Sequence, residues 1–361
     1  MEAPRIGYFV SSHGFGHAAR ASAVMLALRE QSPGVEFDIF TETPEWFFKE
    51  ALGWGYHYHL AQTDVGVVQS GPLDEDLGAT LKRLAGMWPL RSERVDSLAY
   101  ALQRTDCRLV ICDISPLGIA AAYAAGLPAV LIENFTWDWI YAGYLQAEPR
   151  LEPYLPLLQT AFAAADLHLQ AEPYCRPAAG ARVVAPISRP PRTSCAQLRA
   201  SLQIDEKSSV ALVTMGGIPA RFDFLSALQH HPEITFIIPG GSSQIETRGN
   251  LRLLPHHSPY YHPDLMQACD VVIAKAGYST IAEAWHAGVP FVWVSRPRFR
   301  ESGVMSVYLR QEFEGFELSE AEFDSGNWAA QLHVLLEKPH RRRPGNNGAY
   351  QAASQILDIL L

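Results

Sequence analysis

Two strand–glycine-turn–helix junctions, one near each end of the chain, constrain the fold more than any other feature. Ser12-His13-Gly14-Phe15-Gly16-His17 follows the apolar run Ile6 to Val10, and Lys275-Ala276-Gly277-Tyr278-Ser279-Thr280 follows Val271 to Ala274. Each reads as a buried strand ending in a turn that opens a helix, which aims backbone N–H groups and the positive end of a helix dipole at an anion. Two such half-sites in one chain predict a cleft.

The intervening pattern supports an α/β fold. Short runs rich in Val, Ile and Phe alternate with helical stretches, as in parallel βαβ units. In the first half, strands are expected near 5–12, 36–41, 57–61, 108–112, 128–132 and 166–170, with helices near 17–31, 74–104, 116–126, 136–147 and 153–165. Val184 to Arg192 carries Pro186, Pro190 and Pro191, which remove backbone donors and break the alternation. A second series then predicts strands near 208–215, 233–238, 250–254, 269–274 and 290–295. Its helices are expected near 196–202, 220–230, 262–268, 279–287, 302–312 and 325–337. A length of 361 residues suits two cores. The expected organisation is two Rossmann-like doubly wound domains facing each other across a cleft. The first domain is expected over residues 1–186 and the second over 187–340, with 341–361 ending in a helix packing back toward the first domain.

Charge narrows the partners. A net charge of −9 argues against nucleic acid, whose binding rests on basic faces. The cluster Arg341-Arg342-Arg343 reads as a solvated stretch before the last helix. Met1 to Arg5 lacks the basic and apolar regions of a secretion signal, and no run approaches the length of a transmembrane segment. The five cysteines are scattered without a C-x-x-C pair, so neither a disulfide framework nor a zinc site is indicated. A cytoplasmic protein is expected.

The second half resembles the donor site of the GT-B glycosyltransferases. Val271 to Ala284 followed by Ala287-Gly288-Val289-Pro290-Phe291 is similar to their strand, glycine turn, helix with Glu, and A-G-x-P strand, as found in the lipid-linked N-acetylglucosaminyltransferase of peptidoglycan synthesis. Nearly the whole chain resembles the glycosyltransferase-like amino-terminal half of plant L-arabinokinase. The matching stretches are His13 to Arg20, Asn134-Phe135-Thr136-Trp137-Asp138-Trp139-Ile140-Tyr141, Lys275 to Glu283, and Pro290-Phe291-Val292. No kinase segment lies in these 361 residues. The resemblance implies a GT-B fold with nucleotide-sugar binding by the second domain and the first domain as the acceptor side, and leaves the reaction open.

The resemblance gives Glu283 the ribose hydroxyls, although Thr280-x-x-Glu283 also fits a capping box. Lys275, Gly277, Ser279 and Thr280 would face the diphosphate, with Gly14 and Gly16 approaching it from the first domain. Arg20 has the helical spacing to reach back from the first helix toward the phosphates, or to make a surface salt bridge. Gly216-Gly217 after the strand to Met215 would bring backbone close to the phosphates, or would simply make a tight turn. The loop holding Tyr261 aligns with the one that pairs with the base through its main chain, and Glu301 with the segment that holds the donor sugar.

His17 lies near a helix start, where the dipole disfavours an added positive charge and leaves the ring able to accept a proton. A general base is what inverting transfer needs. Asp113, after the strand Arg108 to Cys112, could orient that histidine or cap the next helix with Ser115-Pro116. His13, Trp137 and Asp138 are candidates for acceptor contact, the aromatics being equally at home in a core. His57, His59, His256, His257 and His262 lack convergent carboxylates, so no metal is expected, and no cofactor. The resulting expectation is metal-independent, inverting transfer from a UDP-sugar to an unidentified acceptor hydroxyl. A nucleotide-sugar hydrolase and a non-catalytic sugar-nucleotide sensor are the alternatives.

Overall fold

The computed structural model describes residues 4–69, 71, 74–217, 221–341, 345 and 347–360. Arg342 and Arg343 of the basic cluster, and Met1 to Ala3, lie outside the described residues. Two seven-stranded sheets carry the chain. In the first, the order from edge to edge is Tyr56–Leu60, Glu36–Thr41, Arg5–Val10, Cys107–Asp113, Ala129–Glu133, Leu167–Ala171 and Arg182–Val184, all parallel. In the second it is Glu246–Arg248, Leu251–Leu254, Ile234–Pro239, Ser209–Thr214, Val271–Lys275, Phe291–Val294 and Glu317–Leu318. Among the described residues of this second sheet, the Glu246–Arg248 pairing alone is antiparallel. Central strands buried on both faces explain the continuous apolar runs. The structure is thus α/β with two doubly wound sheets.

Strand order reverses beside Arg5–Val10 in the first sheet and beside Ser209–Thr214 in the second, and ligand crevices form at such switch points. The glycine turns leave the carboxyl ends of Arg5–Val10 and Val271–Lys275, opening the helices Phe15–Gln31 and Tyr278–Ala287. The turns meet. Ser279 Oγ donates to the Gly16 carbonyl at 2.7 Å. A Cβ on Gly217 would fall 2.6 Å from the Phe15 ring and 2.8 Å from its backbone nitrogen, so only glycine permits this approach.

The last helix, Gly348–Leu360, packs on the first: Ala349, Ala352, Ala353 and Ile356 join the core beneath Phe15–Gln31, and Tyr350 donates to Glu30 at 2.6 Å. The proline-containing connection between the sheets is clasped from both sides. Ile187 N–H donates to the Tyr278 hydroxyl at 3.0 Å, and Gly348 N–H to Pro186 at 3.1 Å.

Several expected elements differ. The single helix over 74–104 is two, Leu77–Met87 and Ser92–Arg104, because Pro89 lacks an N–H and disfavours helical geometry at Trp88. The stretch 325–337 divides at Gly326, whose φ of 68° ends the helix Glu320–Ser325, into the short helices Asn327–Gln331 and His333–Leu336. The helix expected over 136–147 covers only Trp137–Ala142, and that over 220–230 only Leu225–Leu228.

Candidate active site

One cavity lies between the sheets, walled by both glycine turns, by Asn134 and Phe135 from the first domain, and by Gly216, Lys275, Glu283, Arg296 and Glu301 from the second. His17 enters it from the third position of the first helix. Its Nδ1 lies 2.7 Å from Asp113 Oδ1. With Nδ1–H donating to the carboxylate, Nε2 carries the lone pair and can accept a proton.

Asp113 ends its strand wholly buried, and does not cap the next helix; Ser115 does, accepting from Gly118 N–H at 3.2 Å. Burial alone would raise the Asp113 pKa, but Arg20 and His17 outweigh it and hold the carboxyl below its ordinary range. Arg20 corrects the expectation that it reaches the phosphates. One turn after His17 on the same helix face, it is 1% exposed, with Nε and Nη2 both donating to Asp113 at 2.7 Å. Its third nitrogen donates to Asn134 Oδ1 at 2.6 Å, and its guanidinium lies over the Tyr278 ring, 4.9 Å from the centroid.

The chain of bonds continues into the second domain. Asn134 Nδ2 donates to Glu301 Oε1 at 2.8 Å. His17, Asp113, Arg20, Asn134 and Glu301 therefore form one buried network that spans the cleft. Asn134 lies in the stretch 134–141, but its two-sided amide is legible only once strands and helices distant in sequence are brought together.

Around the second glycine turn, the first-turn N–H groups of a helix lack partners within it, and here these belong to Tyr278, Ser279 and Thr280. Lys275 borders them; burial, with Arg296 nearby, pushes its ammonium down to about 7. Gly216 adopts a φ of 79° with Lys275 beside it, a left-handed turn that favours glycine. Thr280 and Glu283 form no capping box: the cap residue is Gly277, and Glu283 lies further along, buried. Arg189 Nη2 donates to Glu283 Oε1 at 3.0 Å, and His262 Nδ1 lies 2.6 Å from Oε2. Burial works to raise this carboxyl, yet Arg189 and His262 leave it lower than usual.

Sequence reasoning missed Arg189 and His262. Arg189 stands between prolines in what read as a mere connection, the one signal being a charged residue inside an otherwise apolar, proline-rich segment. The Tyr261 ring packs against Arg189 and Arg192, with its centroid 5.0 and 4.1 Å from the guanidinium carbons, while its neighbours in the loop, Tyr260 and His262, line the cavity.

His13 borders the cavity beside His17, its ring stacked at 5.8 Å on Phe299 and edge-on to Trp137 at 5.1 Å. Burial, reinforced by Arg296, His17 and Lys275, holds it well below the ordinary imidazole range. Trp137 and Asp138 are not an acceptor platform. Trp137 is fully buried, donating to Asp64 at 2.6 Å and stacking on Tyr141, and the buried Asp138 pairs at 3.0 Å with the half-exposed Arg176.

The five cysteines are free. Among the described residues no group of three or more His, Cys, Asp and Glu is placed to hold a metal, and no helix is long and apolar enough to cross a membrane.

Two facing doubly wound domains with a cavity between them define the GT-B glycosyltransferase architecture. Residues 236–358 match the Glycosyltransferase family 28 C-terminal domain. L-arabinokinase of Arabidopsis thaliana is 27% identical over 355 residues, covering 97% of this chain and 34% of that protein, so the chain spans about a third of the length of the curated relative it matches. Among solved structures, a UDP-glucosyltransferase from Polygonum tinctorium capable of glucosylating indoxyl superimposes with a TM-score of 0.64 at 14% identity, covering 99% of this chain and 98% of that one. MurG of Acinetobacter baumannii does so with a TM-score of 0.58 at 15% identity over 98% and 99%. The resemblance read from the sequence is upheld. Fold and family 28 domain together support a glycosyltransferase.

Proposed function

We propose that the protein transfers a sugar from a nucleotide diphosphate sugar, a UDP-sugar, to an acceptor hydroxyl, with inversion and without a metal ion. One observation carries the reading: His17, backed by the buried Asp113, and the amino terminus of the Tyr278–Ala287 helix wall the same cavity from opposite domains. His17 Nε2 takes the acceptor proton as the oxygen attacks the anomeric carbon, and Asp113 stabilises the imidazolium that forms. The diphosphate leaves toward the N–H groups of Tyr278 to Thr280 and the Lys275 ammonium, which serve where other enzymes place a divalent cation. A bound diphosphate favours the charged form of Lys275.

Glu283, held by Arg189 and His262, presents its carboxylate to the ribose hydroxyls. Glu301, tied to the base through Asn134 and Arg20, holds hydroxyls of the donor sugar. The UDP preference is supported by the architecture shared with a UDP-glucosyltransferase.

Replacing Glu283 tests the donor half. Glu283→Gln is expected to weaken UDP binding by about 1.5–3 kcal/mol, the range for hydrogen bonds to a charged group, measured by isothermal titration. Because Arg189 is then left buried beside a neutral amide, the variant also melts lower, unlike a surface change. Lowered stability with unchanged UDP affinity would confine Glu283 to holding Arg189 and His262 in place.

A further inference from the structure

The stretch Asn134 to Tyr141 receives the second domain. The first turn of the helix Arg300–Glu312 docks on it at two points. Arg300 donates to the Trp139 carbonyl at 2.7 Å, with its guanidinium carbon 4.3 Å from the centroid of the Trp139 ring, and Glu301 accepts from Asn134. The second contact leads on to the base. Asn134 is 1% exposed, and its partners fix which way the amide faces: Oδ1 meets the Arg20 guanidinium, which has no acceptor, and Nδ2 meets a carboxylate, which when ionised has no donor. Turned over, the amide would set donor against donor and acceptor against acceptor away from water, at the cost of unpaired buried groups.

Arg20 is the branching point. It donates to Asn134 through one nitrogen and to Asp113 through two, and one of those two, Nη2, lies 3.2 Å from His17 Nδ1. Asp113 Oδ1 receives both Arg20 and His17, so a guanidinium released from Asn134 shifts against the same oxygen that orients the imidazole. Charge-assisted hydrogen bonds joined in a buried chain polarise one another, and a change at the Glu301 end is felt at the His17 end.

We infer that Asn134 is the positioning residue that makes the base depend on the second domain: with Glu301 seated against Asn134, Arg20 and Asp113 hold the His17 imidazole in register, and without that seat the hold loosens. The inference rests on the glycosyl-transfer reading and adds to it the link by which the donor-sugar side of the cleft sets the base.

Exchanging the two groups across the cleft tests it on the whole chain. Asn134→Asp sets two carboxylates face to face, and adding Glu301→Gln restores the hydrogen bond with donor and acceptor interchanged. Turnover is followed as UDP release from a panel of UDP-sugars with a mixed acceptor pool. Asn134→Asp is expected to lower kcat about 10–100-fold, and adding Glu301→Gln to recover about fivefold or more of that loss. UDP affinity should stay within about twofold throughout, because the nucleotide rests on other residues of the second domain. No recovery in the double variant, or UDP affinity falling in step with kcat, would overturn the assignment. A wild-type protein without turnover would count against the glycosyl-transfer reading alone, because the His17 Nδ1–H proton resonance, identified by its absence in His17→Ala, reports the link in the free protein. It is expected to move in Asn134→Asp and to return toward its wild-type position in the double variant. Should Asn134→Asp not fold, Glu301→Gln alone is expected to move the resonance from the opposite domain. A resonance that stays in place, or that moves in Asn134→Asp and is not brought back, would overturn the assignment.

Discussion

Replacing His17 with alanine is expected to lower kcat by about 10²–10⁴, the usual contribution of a general base, while donor affinity stays within a few fold. The split follows from geometry. His17 belongs to the first domain and is oriented by Asp113 from the same sheet, whereas the residues proposed to hold the nucleotide, Lys275, Ser279, Thr280 and Glu283, belong to the second. The loss should therefore fall on the chemical step. Initial rates with saturating donor, compared with UDP titration of the same variant, check it. Activity near that of the wild type would remove His17 from the mechanism, and a variant that fails to fold would assign the ring to the core.

Removing Arg20 is expected to cost about 3–5 kcal/mol of stability, because it strands Asp113 as a buried charge without its cation. Arg20→Met keeps the aliphatic bulk, so the loss in chemical denaturation reports the missing guanidinium. The double variant Arg20→Met with Asp113→Asn is expected to lose less than the sum of the single changes, since neither partner is then charged. The pH dependence has a definite sign. Asp113 has a folded pKa below its unfolded value of about 3.9, so its contribution is present above that pH and is lost as pH falls through the lowered folded value. The gap between wild type and Arg20→Met should narrow on acidification. Strict additivity of the two substitutions would show that the pair is not coupled.

The two glycine turns were legible in the sequence because their signal is local: an apolar run, glycine, then a helix opener. The same holds for the break at Val184 to Arg192. The network behind the turns was not legible, because a buried arginine on a helix looks in sequence like an exposed one. Arg20 was expected at a phosphate on helical spacing alone, yet Asp113 and Asn134, 93 and 114 residues away, claim it. Trp137 and Asp138 failed similarly, since an aromatic stripe with a nearby carboxylate fits a sugar platform and a core equally until Asp64 and Arg176 are brought alongside. Short edge strands such as Arg182–Val184 and Glu317–Leu318 carry too few residues for a pattern to register.

The central claim, that a nucleotide sugar bound between the domains gives up its sugar by a metal-free inverting displacement, is tested most directly by following a panel of labelled UDP-sugars incubated with the protein and a mixed pool of sugar, polyol, phenol and lipid acceptors in excess EDTA. The account predicts that label appears on an acceptor at an undiminished rate and with the opposite anomeric configuration. Turnover abolished by EDTA and restored by Mg²⁺ or Mn²⁺, retention at the anomeric carbon, release of free sugar with acceptor ignored, or tight binding without any turnover would contradict it.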